Sequence, residues 1–259
     1  MSASLVFITG ASSGIGQALA LRFAAAGWRL ALAARRVDEL RAWVERQGFD
    51  ATRCAVHAAD VRDEASITAA GRACLEAQGV PDAVIANAGI SVGIDSAIYA
   101  DLEVMRATLE TNLLGTAATF QPFIAPMRER RSGALVGIAS VAGIRGLPGH
   151  AAYCASKAGV IGYCESLRGE CRPYGVKVVT IVPGYIDTPL TRGNRYAMPF
   201  LLSPPAFAER AYRTIEAGAS YRVIPWQMGV VAKLLRLLPN RAFDQAVAGR
   251  PRKRRAEER

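Results

Sequence analysis

The chain has 259 residues, of which 51% are hydrophobic, and this composition suits one α/β domain with a parallel sheet covered on both faces. No apolar run reaches the roughly 18 residues of a transmembrane helix, and the N-terminus lacks the features of a signal peptide. We therefore expect a cytoplasmic protein with five reduced cysteines. Because the chain has two histidines and its cysteines lack metal-site spacing, we expect no His/Cys metal site.

The formal charge of +10 is concentrated in part at the C-terminus. Residues 250–259 contribute +4 of it, from six basic side chains against two acidic ones. The basic residues are Arg250, Arg252, Lys253, Arg254, Arg255 and Arg259. A charged terminal segment of this kind is usually solvated and disordered. The remaining +6 is ordinary for a protein that binds a polyphosphate cofactor, so we predict no nucleic-acid partner.

Short apolar runs alternate with longer helical patterns along the chain. The apolar runs lie at 5–9, 29–34, 54–56, 83–86, 135–138, 178–182 and 222–225. The clearest helical patterns lie at 14–27, at 101 to about 131 with an interruption near Pro122 and Pro126, and at 152–174. This alternation predicts an α/β fold with a Rossmann-type, doubly wound parallel sheet in a single domain. We place this domain at 1–227 and an amphipathic helix with a basic tail at 228–259.

A glycine-rich turn follows the first apolar run, with the sequence Thr9-Gly10-Ala11-Ser12-Ser13-Gly14-Ile15-Gly16. Glycines in such a turn allow backbone amides and the N-terminus of the next helix to approach a pyrophosphate. The spacing differs from G-x-G-x-x-G, so an ordinary strand-to-helix turn is the alternative. The strand before the turn and the helix after it favour nucleotide binding.

The next three runs end in polar residues. The second ends at Ala34-Arg35-Arg36, where an acid would bind the ribose 2′-hydroxyl of NAD. Two arginines without an acid predict binding of the 2′-phosphate of NADP, and a pair of solvated surface arginines is the alternative. The third run ends near Asp60, which could bind the adenine amino group, cap the helix that begins at about Asp63, or do both. Asn87-Ala88-Gly89 follows the fourth run and alone indicates only a turn.

Tyr153 and Lys157 stand four residues apart at the start of a predicted helix. Residues at this spacing share one helix face, so both polar groups can reach one point. A phenol has a pKa of about 10, and a nearby ammonium lowers that pKa by favouring the phenolate. The pair is therefore a candidate for acid–base chemistry, although two ordinary surface residues would show the same spacing.

Five motifs occur in one order: Thr9-Gly10-xxx-Gly14-x-Gly16, Asn87-Ala88-Gly89, Ser140, Tyr153-xxx-Lys157 and Pro183-Gly184. In order and spacing they closely resemble the short-chain dehydrogenase/reductase family, and the resemblance covers about residues 4–226. It departs from many NADP-dependent members at Ser13, where those proteins carry a basic residue. The resemblance implies an NADP(H)-dependent oxidoreductase that acts on a carbonyl or secondary alcohol as a small-molecule substrate.

The resemblance also implies roles for four catalytic residues. Tyr153 would exchange a proton with the substrate oxygen, and Ser140 would hydrogen-bond that oxygen. Lys157 would hold the nicotinamide ribose and lower the Tyr153 pKa, and Asn112 would bind a water that leads protons to Lys157. The alternative is a noncatalytic NADP-binding sensor or scaffold, which the presence of both Tyr153 and Lys157 disfavours.

The implied cofactor contacts extend along the whole cofactor. Pro183-Gly184 would wall the nicotinamide pocket, Ile186 and Thr188 would bind the carboxamide, and Asp60, Val61 and Asn87 would contact adenosine. The full predicted set is Gly10, Ser12, Ser13, Gly14, Ile15, Gly16, Arg35, Arg36, Asp60, Val61, Asn87, Ala88, Gly89, Tyr153, Lys157, Pro183, Gly184, Ile186 and Thr188.

The segment at about 188–205 is expected to cover the substrate. Its apolar residues are Leu190, Tyr196, Met198, Phe200, Leu201 and Leu202, and its basic residues are Arg192 and Arg195. They predict an apolar or lipid-like substrate with one anionic or polar group. His150 could line the pocket beside Tyr153 or cap the helix start.

The family resemblance implies a homo-dimer or homo-tetramer paired through the helices at about 101–131 and 152–174. The candidate interface residues are Val160, Tyr163, Cys164 and Leu167, with the core of the chain itself as the alternative.

The C-terminal segment 228–259 carries a separate amphipathic pattern. Its apolar helix face would consist of Val230, Val231, Leu234, Leu235 and Leu238, with Lys233, Arg236 and Arg241 off that face. This helix could pack on the domain or on a second subunit, lie on an anionic membrane surface, or be loosely ordered.

Overall fold

Seven parallel strands form one sheet in the computed structural model, which describes residues 3–194, 196–249 and 251–258. The strands are β1 (Leu5–Thr9), β2 (Arg29–Ala34), β3 (Cys54–Ala58), β4 (Ala83–Ala86), β5 (Ala134–Ile138), β6 (Lys177–Pro183) and β7 (Tyr221–Ile224). Their order is β3-β2-β1-β4-β5-β6-β7, so the winding reverses between β1 and β4. The predicted doubly wound Rossmann-type sheet is confirmed, and its ligand crevice is expected at the carboxyl ends of the strands.

Helices cover both faces of the sheet. They are α1 (Gly14–Ala25), α2 (Val37–Arg46), α3 (Glu64–Gln78), α4 (Asp101–Leu109), α5 (Gly115–Arg130), α6 (Ala151–Cys171), α7 (Pro204–Glu216), α8 (Trp226–Leu237) and α9 (Asn240–Val247). Alternate residues of β1 show why its sequence is apolar from Leu5 to Ile8. Val6 and Ile8 belong to one buried cluster, and Leu5 and Phe7 belong to another. A strand buried on both faces favours apolar side chains at every position, and the polar Thr9 at its end donates a hydrogen bond to the Ile85 carbonyl.

The long helical stretch after Asp101 is interrupted, but not where the prolines predict. A π-helical turn at Glu110–Leu114 separates α4 from α5, and Pro122 and Pro126 both lie inside α5. The prediction of a break at the prolines is therefore wrong. Pro122 packs against Gly71 of α3, where a Cβ would lie 2.8 Å from the proline ring. The π turn carries Asn112, and such turns are often found at functional sites.

The predicted interface residues on α6 belong to the core of this chain. Val160, Cys164 and Leu167 are buried on the inner face of α6, and Tyr163 packs against the same cluster. Their apolar character is explained by packing against the sheet, so they do not form an exposed pairing surface. The five cysteines are all buried and free in the structure.

The segment after β7 packs on the domain, and its most buried residues lie outside the predicted apolar face. Met228, Gly229 and Ala232 of α8 are buried, whereas Val230 and Leu234 are about half or more exposed. Small side chains allow this approach, since a Cβ on Gly229 would lie 3.2 Å from Val223. Within the predicted apolar face, Val231, Leu235 and Leu238 are therefore half-buried, and Val230 and Leu234 stay exposed on α8.

Further contacts hold α8 and α9 in place. Arg145 donates hydrogen bonds to the carbonyls of Arg236 and Leu238 and to the Asn240 side chain, and its guanidinium lies 4.3 Å from the Phe243 ring centre. These contacts favour packing on the parent domain over a loosely ordered segment. The proposed boundary at 227/228 falls inside α8, which begins at Trp226.

The basic C-terminus is held against the domain over 251–258, where Lys253 and Arg255 are partly buried and the other residues are exposed. Arg255 forms a two-pronged ion pair with Asp101, which is 5% exposed. The expectation of a disordered tail is therefore wrong for these residues, while Arg250 and Arg259 lie outside the described residues. A buried carboxylate stabilises a cationic partner, and this overrides the usual solvation of a charged terminus.

Across the described residues, no helix combines the length and apolarity needed to cross a bilayer. The same residues contain no group of three or more His, Cys, Asp or Glu side chains that could hold a metal ion.

Candidate active site

A cleft of about 800 Å³ lies at the carboxyl ends of β1 to β6. This volume is within the usual range for small-molecule sites. The cleft brings together nineteen of the predicted site residues. These are Gly10, Ser12, Ser13, Gly14, Ile15, Arg35, Arg36, Asp60, Val61, Asn87, Ala88, Gly89, Ser140, Tyr153, Lys157, Pro183, Gly184, Ile186 and Thr188. Gly16 and Asn112 do not line the cleft; they contact residues that do, Gly10 and Ile90 respectively.

The glycine-rich turn has a shape that side chains would destroy. Gly10 has φ +67°, and a Cβ there would lie 2.8 Å from the Ala88 Cα. A Cβ on Gly16 would overlap the Gly10 carbonyl. Asn87 donates from Nδ2 to the carbonyls of Thr9 and Gly10 at 3.0 and 3.3 Å, so its side chain fixes this turn. The turn therefore forms a backbone-lined cradle, which fits a dinucleotide.

The N-terminus of α1 faces the same cradle. Ser13 occupies the N-cap position, but its side chain makes no capping hydrogen bond. The first amides of a helix need external acceptors, and a diphosphate supplies them. The donor set at this end of the cleft thus fits the phosphates of a nicotinamide cofactor.

Arginines line the cleft at the end of β2. Arg36 donates to the hydroxyls of Ser12 and Ser13 at 3.3 and 3.5 Å and pairs with Glu39 at 3.1 Å. Arg35 lies 4.0 Å from Asp60 and has a side chain that is 63% exposed. Ala34 stands where an acid would be expected for a ribose 2′-hydroxyl. The charge at this corner is therefore suited to an anionic group.

Asp60 is tied to its neighbours by ion pairs. Arg62 contacts both carboxylate oxygens, at 2.8 Å for the shortest pair, and its hydrogen bond is the largest cause that lowers the Asp60 pKa. The helix cap is instead Asp63, which accepts hydrogen bonds from the amides of Ala65 and Ser66. The capping alternative for Asp60 is therefore wrong, because the residue that directly precedes α3 takes that position.

Tyr153, Ser140 and Lys157 meet in the middle of the cleft. Burial raises the pKa of Tyr153, while a hydrogen bond with Ser140 opposes the rise. Burial lowers the pKa of Lys157 to about 8, and its Nζ donates to the Ile138 carbonyl at 2.7 Å. The phenol of Tyr153 is therefore protonated at neutral pH. Lys157 Nζ lies 5.9 Å from the centre of the Tyr153 ring, and its effect on the Tyr153 pKa stays a prediction.

Ser140 has a hydroxyl proton available for donation. Its Oγ accepts a hydrogen bond from the Ala142 amide at 3.2 Å, which orients the oxygen at the end of β5. A hydroxyl has one donor and two acceptor positions, so accepting from the backbone leaves the proton for an oxygen in the cleft.

Asn112 holds the loop after β4. Its Oδ1 accepts from the Ile90 amide at 2.8 Å, and its Nδ2 donates to the Ile90 carbonyl and to Ser156 Oγ, both at 2.9 Å. A Cβ on Gly89 would lie 3.2 Å from Asn112 and 3.6 Å from Lys157 Nζ. Asn112 therefore positions the backbone beside Lys157. Its role in binding a water stays a prediction.

The substrate segment contributes less apolar surface than its sequence predicts. Among its predicted apolar side chains, Leu190 lines the cleft, whereas Phe200 and Leu201 are 49% and 45% exposed. His150 neither lines the cleft nor makes a side-chain cap. Its ring nitrogens face the Pro148 carbonyl and the Tyr196 hydroxyl, each at 3.2 Å. His150 thus anchors the segment, and Arg195 lies outside the described residues.

Within the described part of the chain, three basic residues line the cleft without having been predicted as site residues: Arg62, Lys253 and Arg254. Arg62 carried a signal, since it follows directly after the predicted Asp60 and Val61. Lys253 and Arg254 carried none beyond their charge, because their place in the cleft depends on contacts with distant loops.

Comparisons with known proteins agree with this geometry. A family model described as short chain dehydrogenase matches residues 4–198. The chain is 39% identical over 247 residues to an uncharacterized oxidoreductase of Myxococcus xanthus (strain DK1622), covering 95% of this chain and 97% of the relative. It is 37% identical over 190 residues to a sulfoacetaldehyde reductase of Chromohalobacter salexigens, covering 72% and 74%.

A solved structure gives the same result. An alcohol dehydrogenase from the archaeon Thermococcus sibiricus, complexed with 5-hydroxy-NADP, matches with a TM-score of 0.75 and 26% identity over 86% of this chain and 96% of that one. The chain therefore belongs to the short-chain dehydrogenase/reductase family of oxidoreductases, whose fold binds a nicotinamide cofactor.

Proposed function

We propose that this protein is an NADP(H)-dependent reductase of a carbonyl compound, able to oxidise the corresponding alcohol in reverse. The observation that carries the proposal is the meeting of Tyr153, Ser140 and Lys157 in a cleft with arginines at its opposite end. Further support comes from one relative named as a reductase of an aldehyde and from one structural neighbour that is an alcohol dehydrogenase with an NADP derivative.

The catalytic residues divide the work on the substrate oxygen. When bound, the nicotinamide supplies the hydride in reduction and accepts it in oxidation. Ser140 donates a hydrogen bond to the carbonyl oxygen and holds it beside Tyr153. Tyr153 gives its Oη proton to that oxygen as negative charge develops there. The raised pKa of Tyr153 keeps this proton in place at neutral pH, which suits the reducing direction.

Lys157 and Asn112 prepare this arrangement. The Lys157 ammonium uses one proton on the Ile138 carbonyl, and its remaining protons would hold the ribose of the nicotinamide half. Asn112 fixes the loop at Gly89, which has no side chain to crowd the Lys157 ammonium. Lys157 and Asn112 therefore position the cofactor and the loop, and neither contacts the substrate oxygen.

The preference for NADP rests on Arg35 and Arg36. Arg36 lies across the hydroxyls of Ser12 and Ser13, and no acid stands at Ala34 to repel a 2′-phosphate. We expect kcat/KM to be much higher with NADPH than with NADH. Loss of one charge-assisted phosphate contact in Arg36→Ala should cost about 1.5–3 kcal/mol with NADPH.

The cofactor experiment compares kcat/KM with both cofactors for the full chain, Arg35→Ala and Arg36→Ala. Arg41→Ala is the matched control, because Arg41 is an exposed arginine on α2 that pairs with Asp38. Equal efficiency with NADH in the unmutated protein would refute the preference for NADP.

The catalytic assignment is tested by NADPH oxidation against a panel of aldehydes and ketones. Tyr153→Phe should lower kcat by about 10²–10⁴-fold and leave NADPH binding intact, because the ring stays and only the proton is lost. Tyr163→Phe, on the same helix but packed against the core away from the cleft, should keep full activity. Substantial turnover by Tyr153→Phe would remove Tyr153 from its central role.

A further inference from the structure

The C-terminal strap, which we define as residues 251–258, crosses three loops of the catalytic half of the sheet. The Gly93 amide donates to the Arg254 carbonyl at 3.0 Å in the loop after β4. Arg252 lies over Gly149 in the loop after β5, where a Cβ would lie 3.0 Å from the arginine side chain. Lys253 Nζ donates to the Leu190 carbonyl at 3.0 Å in the loop after β6.

Glycines make this close passage possible. A Cβ on Gly93 would overlap the Lys253 carbonyl, and Gly149 has φ +75°, which side chains rarely adopt. The two loops are also joined to each other, since the Ile94 amide donates to the Gly149 carbonyl at 3.2 Å. The loops therefore form a shaped seat for the strap.

The strap is anchored by Arg255. Its guanidinium makes hydrogen bonds of 2.8 and 3.1 Å to the two Asp101 oxygens at the start of α4. Asp101 also accepts from the Asp95 amide at 2.7 Å and is 5% exposed. A bidentate pair with a buried carboxylate fixes orientation as well as position.

The anchor places Lys253 and Arg254 in the wall of the cleft. They stand at the catalytic half, over the ends of β4 to β6, whereas Arg35, Arg36 and Arg62 stand at the ends of β2 and β3. Among the described residues that line the cleft, Asp60 is the one acid, and it pairs with Arg62. The wall of the cleft over the ends of β4 to β6 therefore carries positive charge, and no carboxylate among the described residues lines that part.

We propose that the strap is part of the substrate site, where Lys253 and Arg254 bind an anionic group of the substrate such as a carboxylate, sulfonate or phosphate. This proposal rests on the proposed function, because it names the substrate class for the same cleft. The sequence predicts an apolar substrate with one anionic or polar group. Lys253 and Arg254 of the strap then bind that anionic group, and the substrate carbonyl faces Tyr153.

The first test measures binding, so that it does not depend on turnover. The full chain saturated with NADP⁺ is titrated by calorimetry with 4-formylbenzoate and with its neutral methyl ester. We expect the carboxylate to bind at least about tenfold more tightly than the ester, because Lys253 and Arg254 both carry positive charge in the cleft wall. Equal affinity for the two compounds would overturn the proposal.

The variant Lys253→Gln/Arg254→Gln removes both charges and keeps the length of the side chains. It should lose the preference for the carboxylate and keep its affinity for the ester. Lys233→Gln/Arg241→Gln is the matched control, since it removes two charges at exposed positions on α8 and α9. A preserved carboxylate preference in the strap variant would overturn the proposal.

The anchor is tested by Arg255→Gln. This variant keeps Lys253 and Arg254 but releases them from Asp101, so the ratio of carboxylate to ester affinity should fall as in the double variant. A role in folding alone would lower thermal stability without changing that ratio, and that result would refute the anchor as a positioning residue.

Two further outcomes separate the sources of the anion. Weaker NADP⁺ binding by Lys253→Gln/Arg254→Gln, with the ratio of carboxylate to ester unchanged, would assign the strap to the cofactor phosphates and overturn the proposal. Failure of the proposed function is distinct: the wild type would then bind the carboxylate preferentially but oxidise no NADPH with any aldehyde in the panel.

Discussion

Lys157 should make the stability of this protein depend on pH in a way that a single substitution removes. Burial lowers the pKa of Lys157 from 10.5 to about 8. At 1.36 kcal/mol per pKa unit, holding the ammonium in the folded protein at pH 7 costs roughly 3 kcal/mol relative to the unfolded chain. Lys157→Met removes this cost but also leaves the Ile138 carbonyl without its donor, which costs about 1–3 kcal/mol. The two effects nearly cancel at pH 7.

The pH dependence separates the two effects. Between about pH 8 and pH 10.5 the folded protein loses the Lys157 proton while the unfolded chain keeps it. Because the unfolded state then binds more protons, the free energy of unfolding rises with pH. The penalty is therefore fully present below pH 8 and relieved above it. By about pH 9.5, wild type should have gained roughly 2 kcal/mol over Lys157→Met.

Urea unfolding followed by tryptophan fluorescence measures this difference at both pH values. Other groups with raised pKa values, such as Tyr163 and Tyr196, are present in both proteins and drop out of the comparison. Lys177→Met, which removes an exposed lysine of β6, should show no such change. A constant difference between wild type and Lys157→Met across this range would refute the lowered pKa.

Four other predictions concern the turn after β1, the proton carried by Tyr153, the oligomeric state and the membrane contact of α8. Gly10→Ala should lower the free energy of unfolding by about 1–3 kcal/mol through backbone strain, whereas Gly146→Ala, which has open space, should not; equal denaturation midpoints would contradict this. Alcohol oxidation should rise with pH as Tyr153 loses its proton, while carbonyl reduction should not; parallel pH profiles of kcat in the two directions would count against Tyr153 as the group that transfers the proton. We also predict a homo-dimer or homo-tetramer, which light scattering showing only a 27.6 kDa species would exclude. If α8 contacts membranes through its exposed Leu234 and Leu237, replacing both with Ser should reduce sedimentation with anionic liposomes; equal recovery in the supernatant would rule membrane contact out.

The strands could be predicted because their sequence follows from where they lie. Ala83–Ala86 is buried at every position, so a short apolar run is sufficient to identify it. The interruption after Asp101 could not be predicted in the same way. Proline has a local steric effect that suggests a break, yet the actual break is at Asn112, whose side chain is held by Ile90 across a distant loop.

The centre of the active site could be predicted from local motifs, and its supporting contacts could not. Tyr153 and Lys157 share one helix face, so their spacing already brings them together. The Asn87 amide also bonds the turn at Thr9 and Gly10, 77 or more positions away, and its motif does not predict that contact. Sequence spacing carries no information about such pairs until the order of the strands is known.

The basic C-terminus shows why charge alone does not decide between a solvated tail and a structural segment. Six basic side chains within 250–259 indicate solvation if each is considered alone. Asp101, however, is buried at the start of α4, and a buried carboxylate is costly unless a cation or hydrogen-bond donors pair with it. Arg255 meets that requirement from 154 positions away. Because this ion pair fixes the strap, the preceding Lys253 and Arg254 lie in the wall of the cleft, and their charge is part of that wall rather than of a solvated tail.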